Sequence, residues 1–417
     1  MSTRFGAAVP NDLGLPLFRT RTYGTAAAFF TRALASSCRV YDAARADLFF
    51  IPAFLDSAAQ TGNYCGEKKP AFRQKCDPDS LRARVAAVRT AANVSRLAAR
   101  NGTDHFLLTP KSGLSTDMRP LVELDLRAAW LGDAVRLAVE DGAAGYSYAH
   151  RTRELFRSIP WASYLHVPGD RRWSELPWRD VNATRPVLVA ASFAAPRNWN
   201  DPVHAGMPKI ARRLRQRLNA SCAAHAGVCA RPAERVVDTN RRGAPKDEPV
   251  VAIARLYREA TFCLQPMGDS ITRKAMIDAV LLGCIPVFFH AGQRLQWPWH
   301  AGGWIEAASL TFDGDAVAEG KVDVVHELRK VDGARVRAMR RTIAERAHCL
   351  HYTAPSAGAD VAGTLAAAPD AFDVTLRGLH RLARAGATFT RARERGAERL
   401  VPTQRASDVE LCEAVPL

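Results

Sequence analysis

Long apolar runs are missing from this 417-residue chain. No stretch approaches the roughly 20 apolar residues that cross a bilayer as a helix, and residues 1–18 lack the apolar core of a secretory signal peptide. The printed sequence therefore predicts neither a membrane anchor nor a signal peptide. Internal repeats and heptad runs are also missing, which excludes a solenoid and a coiled coil.

Aromatic residues are scarce around the clusters of positive charge. The formal net charge is +16, and arginines recur in two helical segments, over 212–217 and 335–341. Nucleic-acid-binding proteins combine such charge with aromatic side chains that stack on bases, and few aromatics intervene here. We interpret both clusters as solvated helix faces and expect no nucleic-acid partner; a basic polyanion-binding protein is the alternative.

A CxxC pair is missing from the nine cysteines. His225 lies between Cys222 and Cys229, but no fourth ligand lies nearby, so a zinc site is disfavoured. The spacing of Cys222 and Cys229 in a polar segment favours a disulfide in an oxidising compartment. Cys65 and Cys76 bracket a charged loop of similar character and are predicted to pair in the same way.

What the chain does contain is an alternation of short apolar runs and helical stretches rich in alanine, arginine and leucine. This alternation predicts an α/β protein. The predicted core strands cover residues 48–52, 105–109, 187–191, 262–264 and 285–289.

Residues 260–290 form the most informative segment. They predict a strand that ends before Pro266, a turn at Gly268, a helix capped by Ser270, a left-handed Gly283 after that helix, and a second buried strand. Two further cysteines in this segment, Cys263 and Cys284, are predicted to be buried thiols on adjacent strands.

A turn before a helix N-terminus is an anion site, because free backbone amides and the helix dipole point at it. Gly268 and Asp269 form the predicted turn, while Ser270, Thr272 and Arg273 add hydroxyls and a guanidinium suited to phosphate oxygens. The segment therefore predicts a phosphate site. A capped helix that binds nothing is the alternative.

The same segment resembles the donor motif of the exostosin-like glycosyltransferases, glycosyltransferase family 47, and is most similar to their plant xyloglucan galactosyltransferase branch. The resemblance extends beyond one motif. Further similar segments are Tyr41 to Phe54, Gly102 to Phe106, Ser158 to Pro168, Ser192 to Arg197, Trp297 to His300 and Asp370 to His380.

This resemblance implies a GT-B architecture, in which two Rossmann-like domains face an interdomain cleft. We expect an acceptor-side domain over 1–184, a donor domain over 185–365, a closing helix over 366–385 and a basic surface tail over 386–417. The opening strand that the family places before the helix at 20–34 is not recognisable in the sequence.

The resemblance also implies inverting transfer of a sugar, with galactose favoured, from a UDP-sugar to a hydroxyl of a polysaccharide or glycoprotein. The UDP-sugar is then a co-substrate, and neither a cofactor nor a metal is expected. Asp313 and Asp315 match a metal-binding DxD pattern, but we interpret them as a turn. The expected donor-binding residues are Arg197, Gly268, Asp269, Ser270, Thr272, Arg273, Asp278 and His290, with core packing as the alternative for His290.

The acceptor hydroxyl needs a base near the anomeric carbon. His105, beside Asp104 at the start of an apolar strand, and His166, near the domain junction, are the candidates from the sequence. A hydrogen-bonded structural histidine is the alternative for each.

The expected partners are a UDP-sugar donor and a glycan acceptor, and a partner glycosyltransferase is a further candidate. By resemblance, we expect a single-pass membrane protein that works in the Golgi lumen. A catalytically silent family member that binds glycan or a partner glycosyltransferase is the alternative.

Overall fold

The computed structural model shows two parallel β-sheets with helices packed around them. It describes residues 5–20, 24–51, 90, 94–108, 131–140, 156–194, 208–232, 248–268, 270–356, 363–394 and 411–417. The predicted α/β class is confirmed.

The first sheet has four parallel strands in chain order. They are β1 (Phe49–Ile51), β2 (His105–Leu108), β3 (Val135–Ala138) and β4 (Phe156–Ser158), and each pairs with the next. Every residue of β2 and β3 is buried, as expected of parallel strands covered on both faces. The described helices of this N-terminal unit are α1 (Thr25–Ala35) and α2 (Val94–Ala99).

The second sheet has five parallel strands in the order β6-β5-β7-β8-β9. They are β5 (Val187–Ala190), β6 (Cys229–Ala230), β7 (Ala260–Leu264), β8 (Ile285–Phe288) and β9 (Leu310–Thr311). The predicted strands at 187–191, 262–264 and 285–289 are confirmed. Together the two sheets form the two Rossmann-like units of a GT-B fold.

Nine described helices accompany the second sheet. They are α3 (Lys209–Ala224), α4 (Glu248–Glu259), α5 (Lys274–Leu281), α6 (Pro298–Ala301), α7 (Trp304–Ala307), α8 (Gly314–Ala318), α9 (Val324–Arg329), α10 (Gly333–Arg346) and α11 (Ala371–Glu394). Aspartates cap three of them, because their carboxylates accept hydrogen bonds from free amides of the first turn. Asp313 of the DxD pattern is one of these caps and starts α8.

The C-terminal helix α11 returns to the N-terminal unit. The rings of Phe29 on α1 and Phe372 on α11 are 4.7 Å apart, and Arg32 Nε donates to Asp370 Oδ2 over 2.6 Å. Helix α11 covers Ala371–Glu394, whereas the sequence predicts a closing helix over 366–385. Among the residues that the structure describes, no helix has both the length and the apolar content needed to cross a bilayer.

Residues 411–417 are held against the fold. Leu411 N donates to Trp299 O over 2.8 Å, Val415 N donates to Glu345 O over 2.9 Å, and Cys412 is bonded to Cys349. Leu411 and Cys412 are buried, so the prediction of a surface tail over 386–417 is wrong for these two residues.

Three disulfides occur in the described part of the chain: Cys222–Cys229, Cys263–Cys284 and Cys349–Cys412. The first confirms the prediction from spacing. The prediction of free thiols at Cys263 and Cys284 is wrong, because pairing of β7 with β8 brings their Cα atoms to 6.0 Å, within bridging range. Cys65 and Cys76 lie outside the described residues.

Candidate active site between the two sheets

The carboxyl ends of the strands in the two sheets face each other. Trp297 follows β8, and its backbone N–H donates to Ser158 Oγ at the end of β4 over 2.9 Å. The Trp297 indole Nε1 donates to the carbonyl of Val139, just after β3, over 2.9 Å. Ligands of parallel α/β sheets bind beyond the carboxyl ends of the strands. The region between these two edges is therefore the candidate site.

Thr272 makes the second contact between the edges. It lies in the loop after β7 and is completely buried. Its backbone N–H and its hydroxyl both donate to Glu140 Oε1, two residues after β3. The Trp161 indole, after β4, donates to Thr272 Oγ1 over 3.1 Å. Thr272 thus anchors the loop between β7 and α5, which is the predicted donor loop, to the first sheet.

Asp278 makes the third contact, on the buried side of α5. Its Oδ1 accepts hydrogen bonds from Ser163 Oγ over 2.7 Å and from Tyr164 N over 2.8 Å. Lys274, one turn earlier, donates to both carboxylate oxygens over 3.0 Å. Burial lowers the pKa of Lys274 to about 8, and the Asp278 charge opposes that shift. The Asp278 carboxylate therefore joins α5 to the segment after β4.

The helix after the predicted donor loop starts later than the sequence predicts. Helix α5 starts at Lys274 with Arg273 at the N-cap position, so Ser270 is not the cap. Arg273 has extended backbone angles, φ −145° and ψ 150°. Ser270, Thr272 and Arg273 thus precede the helix instead of forming its first turn. The physical reason is the reach of Thr272 to Glu140, which holds residues 270–272 away from the helix axis.

Arg273 folds back over Gly268. Its Nη1 donates to Ser270 Oγ over 2.7 Å and to Thr272 O over 2.9 Å. A Cβ atom on Gly268 would lie 1.4 Å from Arg273 Nη2, so only glycine leaves room for the guanidinium. Arg273 and Ser270 are half-buried. A cation and a hydroxyl are therefore accessible together at the carboxyl end of β7.

Arg215 on α3 fixes the start of the donor loop. Its Nε donates to Met267 O over 2.8 Å, and its Nη1 donates to Ala194 O, after β5, over 2.9 Å. The side chain is buried. Arg215 therefore holds the segments after β5 and β7 in a fixed relation.

Glu140 is a site residue that sequence reasoning missed. It is 1% exposed, and among the described residues its Oε2 has no hydrogen-bond partner. Burial raises the pKa of Glu140, while Arg273, Thr272 and Ser270 act in the opposite direction. The signal in the sequence was an acidic residue directly after the apolar run of a strand.

His105 and Asp104 lie at the wrong edge of the first sheet for catalysis. His105 is the first residue of β2, so it lies at the amino end of the strand, away from the facing carboxyl ends. Its Nδ1 is 2.6 Å from Asp104 Oδ1, and its ring stacks on Phe49. Burial lowers the pKa of His105, against the opposing effect of Asp104. We therefore assign this pair a structural role and withdraw it as the base.

His166 is a core histidine and is completely buried. Its Nδ1 donates to the carbonyl of Tyr352 over 2.9 Å, and its Nε2 is 3.1 Å from Thr20 Oγ1. The ring stacks on Phe5 at 4.0 Å, and burial lowers its pKa to about 3. Because both nitrogens have partners inside the fold, the prediction of His166 as the base is also withdrawn.

Of the remaining predicted donor residues, the structure describes His290 and Asp278. His290 follows β8 at the candidate site, and its Nδ1 accepts from Gly292 N over 3.0 Å. The carboxylate of Asp278 lies inside the molecule with the partners described above. Their roles in donor binding stay predictions. Arg197 and Asp269 lie outside the described residues.

Metal-ligand geometry occurs away from this site. Within the described residues, His348, Cys349 and Cys412 are the His, Cys and acidic side chains close enough together to share an ion. Two of the three form a disulfide, which removes their thiolates as ligands. Near the candidate zinc position in the sequence, His225 instead contacts Asp323, with Nε2 and Oδ2 2.9 Å apart.

Comparison with known proteins identifies relatives among plant glycosyltransferases. The chain is 28% identical over 286 residues to a probable xyloglucan galactosyltransferase, GT15, of Arabidopsis thaliana, covering 67% of this chain and 54% of the relative. It is 26% identical over 387 residues to xyloglucan galactosyltransferase XLT2 of the same plant, covering 91% of this chain and 66% of the relative. A solved GtfA/B complex is also similar, at a TM-score of 0.33 and 12% identity over 70% of this chain and 56% of that chain.

The chain spans about half the length of the first of these relatives. The Exostosin GT47 domain matches residues 9–307, which include the strands of both sheets as far as β8 and the whole donor loop. The matched range thus contains both edges of the candidate site. The chain belongs to the exostosin GT47 family.

Proposed function

We propose that this chain transfers a sugar, with galactose favoured, from a UDP-sugar to a hydroxyl of a polysaccharide or glycoprotein. The observation that supports this most is the meeting of the two carboxyl edges, where Arg273 and Ser270 are accessible beside Glu140. A diphosphate at the end of β7 would place its sugar between the two sheets, where an acceptor held by the first sheet can reach it.

The names of the relatives support the polysaccharide acceptor. GT15 and XLT2 are described as xyloglucan galactosyltransferases. Another relative, 24% identical over 373 residues and covering 89% of this chain and 50% of its own length, is described as a xyloglucan-specific galacturonosyltransferase. We therefore propose xyloglucan as the first acceptor to test and galactose and galacturonic acid as the competing donor sugars.

The proposed reaction inverts the configuration at the anomeric carbon. The acceptor oxygen attacks from the first sheet while the diphosphate leaves on the side of the donor loop. Arg273 offers a guanidinium fork and Ser270 a hydroxyl to the developing negative charge, which is the stabilisation that such a leaving group needs. The UDP-sugar is a co-substrate, so the proposal includes no resident cofactor.

The expected setting is the Golgi lumen. Three described disulfides fit an oxidising compartment. A partner glycosyltransferase in the same compartment is part of the proposal only as a candidate, and no nucleic acid is included.

Arg273→Ala is expected to weaken UDP binding about 10- to 100-fold, the usual cost of losing a charged hydrogen bond to an anion. Isothermal calorimetry with UDP, UDP-galactose and UDP-galacturonic acid measures this directly. Arg329→Ala, which removes an exposed arginine from α9, is the matched control and should leave the affinity unchanged. Equal UDP affinity in both variants, or no UDP binding by the folded wild type, would contradict the proposed donor site.

Gly268→Ala is expected to weaken UDP binding, because it displaces the Arg273 guanidinium. The new methyl group occupies the space of the Arg273 guanidinium, so that side chain must move and give up its hydrogen bonds to Ser270 and Thr272. Gly227→Ala is the control, because a Cβ there meets no atom within 4 Å. Unchanged UDP affinity in Gly268→Ala would show that the guanidinium position is unimportant.

A further inference from the structure

We propose that Glu140 is the general base that takes the proton of the acceptor hydroxyl. The inference deepens the proposed transferase function and rests on it. It replaces the histidine candidates with a carboxylate on the first sheet, the side of the site opposite the donor loop.

Position is the first argument. Glu140 lies two residues beyond β3, at the carboxyl edge where ligands of parallel sheets bind. It is directly bonded to Thr272, the residue between the accessible Ser270 and Arg273. A sugar whose diphosphate contacts Arg273 would therefore lie within a few ångströms of this carboxylate.

The two carboxylate oxygens of Glu140 differ. Oε1 accepts both hydrogen bonds from Thr272, which fixes the plane and direction of the group. Among the described residues, Oε2 has no partner although it is buried. A buried oxygen without a partner is costly, and such groups persist at sites where a ligand supplies the missing bond. A sugar hydroxyl is a donor of the required kind.

Electrostatics support the assignment. Burial raises the pKa of Glu140, which brings a carboxyl group closer to the strength that a base at neutral pH requires. Arg273, on the segment after β7, is the charged group that the structure places against it. The positive charge of Arg273 limits the rise in the pKa of Glu140, so the carboxyl group can still be ionised.

The step balances as a single displacement. The acceptor oxygen forms a bond to the anomeric carbon as the bond from that carbon to the UDP oxygen breaks. The acceptor proton passes to Glu140 Oε2, and the electron pair leaves with UDP, whose charge Arg273 stabilises. Oε2 is buried, so the acceptor must displace neighbouring atoms to reach it.

A purely structural Glu140 would act differently in assays. If it served only to hold Thr272 and the donor loop, its loss would weaken UDP binding and turnover together. A base acts on the chemical step alone, so its loss lowers kcat and leaves UDP binding unchanged. The pH profile separates the roles further, because a base adds an acidic limb to kcat that disappears when the base is replaced.

The test compares wild type, Glu140→Gln and Glu140→Asp in the full chain. In Glu140→Gln the amide oxygen still accepts from Thr272, but the group cannot take a proton. We expect kcat for sugar transfer to fall about 10²- to 10⁴-fold, UDP affinity to stay within about threefold of wild type, and the acidic limb of the kcat profile to disappear. Glu140→Asp should retain that limb with a reduced kcat.

Two results would overturn the assignment. One is a kcat in Glu140→Gln within threefold of wild type, and the other is a loss of UDP binding in proportion to turnover, as a structural residue would show. Thermal unfolding of each variant identifies any that do not fold, and Glu140→Asp then decides by the presence or loss of its acidic limb. A folded wild type that neither binds UDP nor transfers sugar refutes the proposed function itself, and the base assignment with it.

Discussion

Replacing Asp278 with alanine is expected to lower the free energy of unfolding by about 3–5 kcal/mol, because it leaves a buried ammonium without its partner. The side chains of Lys274 and Asp278 are 7% and 3% exposed, so water cannot replace the lost contact. The substitution also removes the acceptor of Ser163 Oγ and Tyr164 N, two donors from the segment after β4. The contact between α5 and that segment should therefore weaken.

Chemical denaturation of matched variants tests this result. Asp278→Asn keeps an acceptor for Ser163 and Tyr164 and should lose less stability than Asp278→Ala. Adding Lys274→Met to Asp278→Asn removes the unpaired charge and should restore most of the loss.

Glu327→Ala is the control for that series, because it breaks a similarly spaced helix pair with Lys330 whose side chains are 41% and 57% exposed. Such a pair contributes at most about 1 kcal/mol. A loss in Asp278→Ala no larger than that in Glu327→Ala would contradict the buried ion pair.

Acidification is expected to destabilise the fold below pH 6.5. Burial lowers the pKa of His166, His300, His348 and His351 to values of about 3 to 4. An unfolded histidine titrates near its usual 6.5, so the unfolded chain binds more protons below that pH. The contribution of each neutral histidine is present above pH 6.5 and is lost as the pH falls toward its folded pKa.

Two carboxyl groups act in the opposite direction. Burial and the charge of Asp370 raise the pKa of Asp373 to about 7, and burial raises that of Glu140. Both stabilise the folded chain as pH falls. The four histidines outnumber these two carboxyl groups, so we expect a net loss of stability between pH 7.5 and 5.5.

Urea denaturation at pH 7.5, 6.5 and 5.5 measures the loss. His348→Gln should reduce the pH dependence by about one proton, because one buried titrating group is gone. The exposed His326→Gln is the control and should leave the dependence unchanged. Equal stability at all three pH values would contradict the buried neutral histidines.

The sequence predicted the strands well for a physical reason. Parallel strands covered on both faces are continuous apolar runs, so β2, β7 and β8 are visible without any contact being known. The left-handed conformation of Gly283 was also predicted correctly. Its φ of +74° after α5 is a conformation that glycine adopts at little cost.

Long-range contacts explain the errors. Ser270 has the local pattern of a helix cap, but the bond from Thr272 to Glu140 spans 132 residues and moves the helix start to Lys274. The pairing of Cys263 with Cys284 likewise depends on strand register. His105 was misjudged because the sequence does not show which edge of a sheet faces the second domain.

The measurement that tests the account most directly is sugar transfer by the wild-type chain from UDP-galactose to xyloglucan oligosaccharides, followed by mass spectrometry, with UDP-galacturonic acid as the competing donor. We expect a product one hexose heavier than the acceptor, and a kcat about 10²- to 10⁴-fold lower in Glu140→Gln while UDP binding is retained. A folded chain that binds UDP but transfers neither sugar to xyloglucan or to a panel of other glycans would contradict it.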